Sequence, residues 1–419
     1  MPHTTRRRIL RLTGAGATVA VTGCLGGGGD DGGNGDGGTD DGEPSNASSD
    51  GEGDGETDDG GQEPEDETLS HEPWSTYAAD PANTGHAPDA SPPSGEVSWT
   101  YDTEAPVNSS PVVVDGTVYI GSNDNNLYAV DARTGESDWT FETGDSVQSP
   151  PLVADGLVIV GSDDNNLYAL NTSGEEDWRF TGQGPVRAAP KFAEMEPNDL
   201  IVFGEDSFGG GSADDRRSLQ TVRLDGTEGW NFRTGEYIQA APAVAGETIY
   251  IGRFDGILYS VDSQTGEQNW LSRETTRLNS APSVRQETIY SGDDDGIMRA
   301  LDPEGELRWN YEVDAGVRSS PSVSGDTVYF GDESGTFHAI TTDGESLWTY
   351  DTGDSVRTSP AIGDGYVAFG SRDGYVYALD TEGEELWSHE TGGPIESSPA
   401  IIDGRLYVGS IDWSLYAFE

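Results

Sequence analysis

The chain has 419 residues, with 77 acidic side chains against 22 basic ones, a formal net charge of −55, and a single cysteine. That balance speaks against a nucleic-acid partner, because such binding rests on cations that neutralise phosphates. One cysteine leaves no internal disulfide and no cysteine-built metal site.

Residues 1–24 read as an export signal: an Arg-rich start, an apolar stretch too short to span a bilayer, and then Cys24. Thr5-Arg6-Arg7-Arg8-Ile9-Leu10-Arg11 resembles a twin-arginine motif, and Val21-Thr22-Gly23-Cys24 resembles a lipobox whose cysteine takes the lipid. Residues 25–70 are Gly, Asp, Glu, Ser and Thr with hardly an apolar side chain, which predicts a disordered acidic tether. Such a chain reaches roughly 35 to 40 Å. The implied location is the outer face of a cell membrane, reached by the twin-arginine route and held by lipid on Cys24.

Residues 71–419 carry 61 acidic and 18 basic side chains, a net charge near −43, with Lys191 as the sole lysine. Dense carboxylates suit a surface hydrated in concentrated salt, where repulsion is screened within a few ångströms. Together with the two N-terminal motifs, this composition resembles exported haloarchaeal lipoproteins.

Residues 71–96 form a capping segment, and a repeat follows. Tryptophans 99, 139, 178, 230, 270, 309, 348 and 387 stand 40, 39, 52, 40, 39, 39 and 39 residues apart, the mark of a repeat architecture. Each unit reads as a proline, a short apolar run, Asp-Gly or similar, a second apolar run, a polar turn, "LYALD", a Gly turn and Trp-x-aromatic, hence four short strands. Several runs are apolar on both faces, so each sheet has to be covered on both sides, as in stacked blades. Pro111, Pro151, Pro190, Pro242, Pro282, Pro321, Pro360 and Pro399 open eight three-strand groups on an innermost strand with a free edge, and the Trp99 strand precedes them all. The expected fold is all-β: an eight-bladed β-propeller of four-stranded blades over residues 97–419. Residues 97–102 complete the last blade and close the ring.

"AVDARTGESDW" (129–139) and "SVDSQTGEQNW" (260–270) match the tryptophan-docking pattern of the pyrroloquinoline-quinone-like propeller repeats, and the other units are one residue shorter. The chain resembles this family from about residue 72 to 419. Family membership implies the fold. Its members include quinone-dependent dehydrogenases, a lipoprotein of outer-membrane protein assembly and scaffold domains, so it does not imply one activity.

Candidate sites lie where the repeats differ. Three residues before each inner proline stand Asn108, Gln148, Arg187, Gln239, Asn279, Arg318, Arg357 and Glu396, all polar. At the start of the inner strands they line the channel mouth, with Glu396 paired to Arg357. Two readings stay open: a positive island that takes a small anionic ligand, and a solvated channel with salt bridges inside the ring. Blade three carries an insertion over 205–218 with Phe208, Arg216 and Arg217, a lid, a partner contact or an idle loop. The turns "SNDNN", "SDDNN" and "DDDG" lack calcium-loop spacing, and tight hairpins explain them. The histidines, among them His338 and His389 in aromatic slots, form no triad.

The functional expectation is a lipid-anchored, monomeric scaffold or ligand-binding propeller, with an unidentified protein partner or a small anion at the mouth. The alternative is a dehydrogenase dependent on pyrroloquinoline quinone (PQQ) and calcium. No cofactor is expected, since the ring is nearly minimal and the single cysteine rules out the adjacent-cysteine disulfide of alcohol-oxidising members.

Overall fold

Eight antiparallel four-stranded sheets follow one another around an axis in the computed structural model, which describes residues 74–87, 90–195, 199–206, 219–235, 238–273 and 276–419. The proposed signal, Cys24 and the tether lie outside the described residues, as do Phe208, Arg216 and Arg217 of the blade-three insertion. Blade one runs outward through Val112–Val114, Thr117–Gly121, Asn126–Asp131 and Ser137–Glu142. Its middle strands are buried on both faces, while the outer strand alternates exposed and half-buried residues. Asp115 and Gly116 (φ 49° and 79°) make the first hairpin turn, and Asn125 (φ 77°) the second.

The ring closes through the Trp99 strand. Val97–Asp102 pairs antiparallel with Ser414–Phe418, and Trp99 faces Ala417. Every repeat tryptophan then docks on the next blade. Trp139 Nε1 donates to Thr172 O (2.9 Å), Trp309 to Thr342 O (2.8 Å), and Trp387 to Pro93 O (2.8 Å), the last supplied by the segment before the closing strand. Beneath each indole lies a glycine. A Cβ on Gly344 would sit 2.8 Å from the Trp309 ring at a φ of +85°, so the Gly and Trp of the repeat are parts of one joint.

The inner strands differ from expectation in two ways. Each begins one residue after its proline, as at Val112, Ala243 and Ala400, so the proline ends the incoming loop, where no ladder N–H is needed. Nor is the inner edge free. Residues 74–87 run around the axis as a belt. Val113, Val153, Val244, Val284, Val323 and Ile362 donate their backbone N–H groups, in order, to the carbonyls of Trp74, Ser75, Pro81, Ala82, Thr84 and Gly85.

Among the described residues blade eight makes no such bond, and blade three replaces it with a side chain. There Lys191 Nζ donates to Tyr77 O and, at 2.9 Å, to Asp80 O. The belt turns here through Ala78 and Ala79 (φ 54° and 67°), and the long Lys191 side chain bonds its carbonyls where no backbone N–H of the inner strand does. Asn83 is fully buried, and its Nδ2 donates to Pro242 O (3.2 Å) and Pro282 O (2.9 Å). The capping segment is therefore an internal belt, held by backbone bonds to six blades and by side-chain bonds at Tyr77, Asn83 and Lys191.

Candidate functional site

All eight polar residues picked from the repeat register, Asn108, Gln148, Arg187, Gln239, Asn279, Arg318, Arg357 and Glu396, line one cavity of about 190 Å³ on the axis. Tyr77 of the belt also lines it. The Tyr77 ring packs against Ala189, Ala240, Ala241 and Ala281, and its hydroxyl bonds to Ser320 Oγ (3.0 Å) and Ser359 Oγ. Serines continue this layer from blade to blade: Ser398 N donates to Ser110 Oγ (2.9 Å), and Ser359 N to Ser398 Oγ (2.8 Å).

A second set of residues comes from the turn between the middle strands, two positions after the glycine that ends the second strand. In blades two, three, five and six these are Asp163, Asp206, Asp294 and Glu333. They meet the mouth arginines. Arg187 bonds Asp163 through Nε (2.8 Å) and Nη2 (2.9 Å) and reaches Asp206 through Nη1 (3.3 Å). Arg357 bonds Glu333 through Nε (2.7 Å) and Nη2 (2.9 Å), and Glu396 through Nη1 (3.3 Å). Arg318 Nε lies 3.3 Å from Asp294 and 3.7 Å from Glu333, and Arg372 Nη1 lies 3.4 Å from Glu396. The expected pair of Glu396 with Arg357 is present.

Four arginines thus meet five carboxylates, so the mouth is an ion-pair network and not a positive island. Each charge-assisted bond holds its guanidinium in the charged form: Asp163 raises the pKa of Arg187 and Glu333 that of Arg357. Burial pushes the Asp206 carboxyl above its ordinary value, opposed by Gln239 and Arg187.

The network forms two arcs with two breaks. One arc runs Gln148–Asp163–Arg187–Asp206–Gln239, and the other Asn279–Asp294–Arg318–Glu333–Arg357–Glu396–Arg372. At the first break, in blade four, the turn position holds Phe254, and Arg277 stacks over its ring at 4.5 Å. At the second, in blade one, Asn108 Oδ1 and Asn123 Oδ1 are buried without a hydrogen-bond partner.

The sequence reading missed the turn carboxylates, Phe254 and Arg277. The signal was present: counting two residues past each strand-ending glycine picks the turn set as surely as counting back from proline picks the mouth set.

The polar turns proposed as hairpins are held by their own carboxylates. Asp164 accepts from Asn166 N (2.9 Å), Gly144 N (2.7 Å) and Tyr168 Oη (2.6 Å). His338 takes the tyrosine slot and bonds Asp332 at 3.0 Å. Among the described residues no group of three or more His, Cys, Asp or Glu could hold a metal ion.

The family profile described as outer membrane protein assembly factor BamB matches residues 84–210, 216–348 and 335–419. The chain belongs to this family. Among curated proteins none matches the sequence. Of solved structures, BamB from Moraxella catarrhalis is similar at 19% identity and a TM-score of 0.64, covering 77% of this chain and 97% of that one. A quinohemoprotein alcohol dehydrogenase from Comamonas testosteroni is similar at 16% identity and a TM-score of 0.70, covering 83% and 80%. The computationally designed Ika8 protein is similar at 17% identity and a TM-score of 0.66, covering 76% and 97%. Identities this low speak to the fold alone.

The axial cavity of this BamB-family chain does not fit a quinone cofactor. Its 190 Å³ falls below the roughly 300 Å³ at which ligand pockets begin, and Arg187 and Arg357 already hold two carboxylates each. A planar anionic quinone would have to displace those carboxylates into a body already rich in negative charge.

Proposed function

We propose that this BamB-family propeller is an interaction scaffold, not an enzyme, held at the outer face of a cell membrane by lipid on Cys24 and presenting its channel mouth to a partner protein. The observation that carries this proposal is the self-paired mouth. Arg187, Arg318 and Arg357 each bridge carboxylates on different blades, which makes the rim a rigid polar surface and leaves little room for a cofactor in the axial cavity. A pre-organised rim suits docking, because its side chains have already paid the cost of being ordered. The belt supports the same assignment, since it occupies the axis and ties the blades into one stiff body.

The test is native mass spectrometry of the protein purified from its source in high salt, followed by the charge reversal Arg187→Glu with Arg357→Glu. A co-purifying chain that is lost in the double variant, while the circular dichroism is unchanged, is the expected result. A retained quinone, or dye-coupled alcohol oxidation on adding PQQ and calcium, would replace the scaffold with the dehydrogenase alternative.

A further inference from the structure

The first break in the mouth network opens on a second cavity of about 430 Å³, lined by Gln239, Phe254, Arg277, Asn279 and Arg318. Its volume lies within the range of small-molecule sites. Two guanidinium groups border it and, among the described residues, no carboxylate lines it, in a folded body whose net charge is near −43.

The two arginines are unlike the others at the mouth. Arg187 and Arg357 commit Nε, Nη1 and Nη2 to carboxylates. Arg318 makes one carboxylate hydrogen bond among the described residues, from Nε to Asp294 at 3.3 Å, and none from its terminal nitrogens. Arg277 has no carboxylate partner there at all; it lies exposed, face-on to Phe254. A guanidinium stacked on an aromatic ring keeps its in-plane N–H fork available for a planar anion. The lining amides serve as posts, since Gln239 Nε2 is tied to Asp206 (3.2 Å) and Asn279 Nδ2 to Asp294 (2.9 Å).

Resting on the assignment of the mouth as the binding face, we propose that this sector is a site for a carboxylate carried on an aromatic or apolar body. Arg277 and Arg318 take the carboxylate, and Phe254 packs against the body. The arginines match the flat two-oxygen geometry of a carboxylate. Phe254 decides against a bare inorganic anion: it supplies contact area that salt does not screen, where charge attraction alone fades beyond a few ångströms. The carboxylate could belong to a free small acid or to the C-terminus of a peptide chain, and the test separates the two.

Calorimetry, supported by ligand-observed NMR, is run on the folded propeller with 3-phenylpropionate, its neutral amide, N-acetyl-Gly-Phe and inorganic phosphate. The variants are Arg277→Gln, Arg318→Gln and, as a control on the outer strand of blade two, Arg179→Gln. At least one of the two carboxylates is expected to bind tenfold or more tightly than the amide and phosphate, and to weaken tenfold or more in Arg277→Gln. Arg318→Gln should lie between, and Arg179→Gln within twofold of the parent. Preference for N-acetyl-Gly-Phe identifies a peptide terminus, and preference for 3-phenylpropionate a free acid.

Binding of acid and amide within twofold, unchanged affinity in Arg277→Gln, or no binding by any probe up to about 10 mM overturns the site. Because partner retention is measured separately on the Arg187 and Arg357 pair, the scaffold can stand while this site fails, and the reverse.

Discussion

The two ends of the axis use the same eight inner strands in opposite ways. At the belt end, backbone N–H groups of six blades bond to backbone carbonyls in strict order. At the mouth, side chains five residues earlier in the chain bond mainly to the turn carboxylates, and their identities change from blade to blade. Backbone bonding demands only that the belt keep its path, whereas side-chain bonding makes each blade's choice visible and alterable. The belt end therefore concentrates stability and the mouth end concentrates specificity.

The most damaging change should be Asn83→Leu. It strands the carbonyls of Pro242 and Pro282 and puts a branched side chain at a φ of +61°. A loss of about 3 kcal/mol or more in urea unfolding is expected; a loss under about 1 kcal/mol would break the contrast between the two ends.

Lys191 comes next, and pH is the lever. Burial pulls its ammonium from the ordinary 10.5 down to about 7, with Asp80 opposing. The folded value lies below the unfolded one, so between them the unfolded chain binds more protons and stability rises with pH. This contribution is lowest at and below about 7 and is complete only near 10.5. Unfolding curves between pH 7 and 9 should show a slope approaching about 1.4 kcal/mol per pH unit in the parent, and Lys191→Met should flatten it. A slope that survives in the variant would assign it to other groups.

Tyr77→Phe removes the hydroxyl that bonds Ser320 and Ser359 and should cost about 1 kcal/mol, read as a small fall in the denaturation midpoint. Arg357→Gln at the mouth should cost less than about 1 kcal/mol, because its pairs are partly open to water. A loss at Arg357 as large as at Asn83 would show that both ends hold the ring.

Much of this was legible in the sequence. Tryptophan spacing and the misplaced Trp99 strand gave blade number and closure, because a docked indole needs its glycine in every repeat. The eight mouth positions followed from counting back from proline, since a repeat turns spacing into geometry. The belt was not legible. "WSTYAADPANTGHA" carries no repeat of its own and uses mainly main-chain atoms, which every residue possesses. Nor was the self-paired mouth, because Arg318 and Arg357 look cationic until Asp294 and Glu333, each 24 residues earlier, are brought beside them. Lys191, the sole lysine, was noticed only as a compositional oddity; its two carbonyl acceptors are 114 and 111 residues earlier.

The seam at blade eight sets a rule for how the molecule can be assembled. Ser94 N donates to Glu419 O (2.7 Å) and Glu419 N to Glu96 O (3.0 Å), across 325 residues between Ser94 and Glu419. Early chain must wait for late chain, with the loop entropy of nearly the whole polypeptide to overcome before that contact gives anything back. A fragment without Ser414–Phe418 leaves Val97–Asp102 lacking its pairing strand, so the last blade cannot be completed before that strand is made.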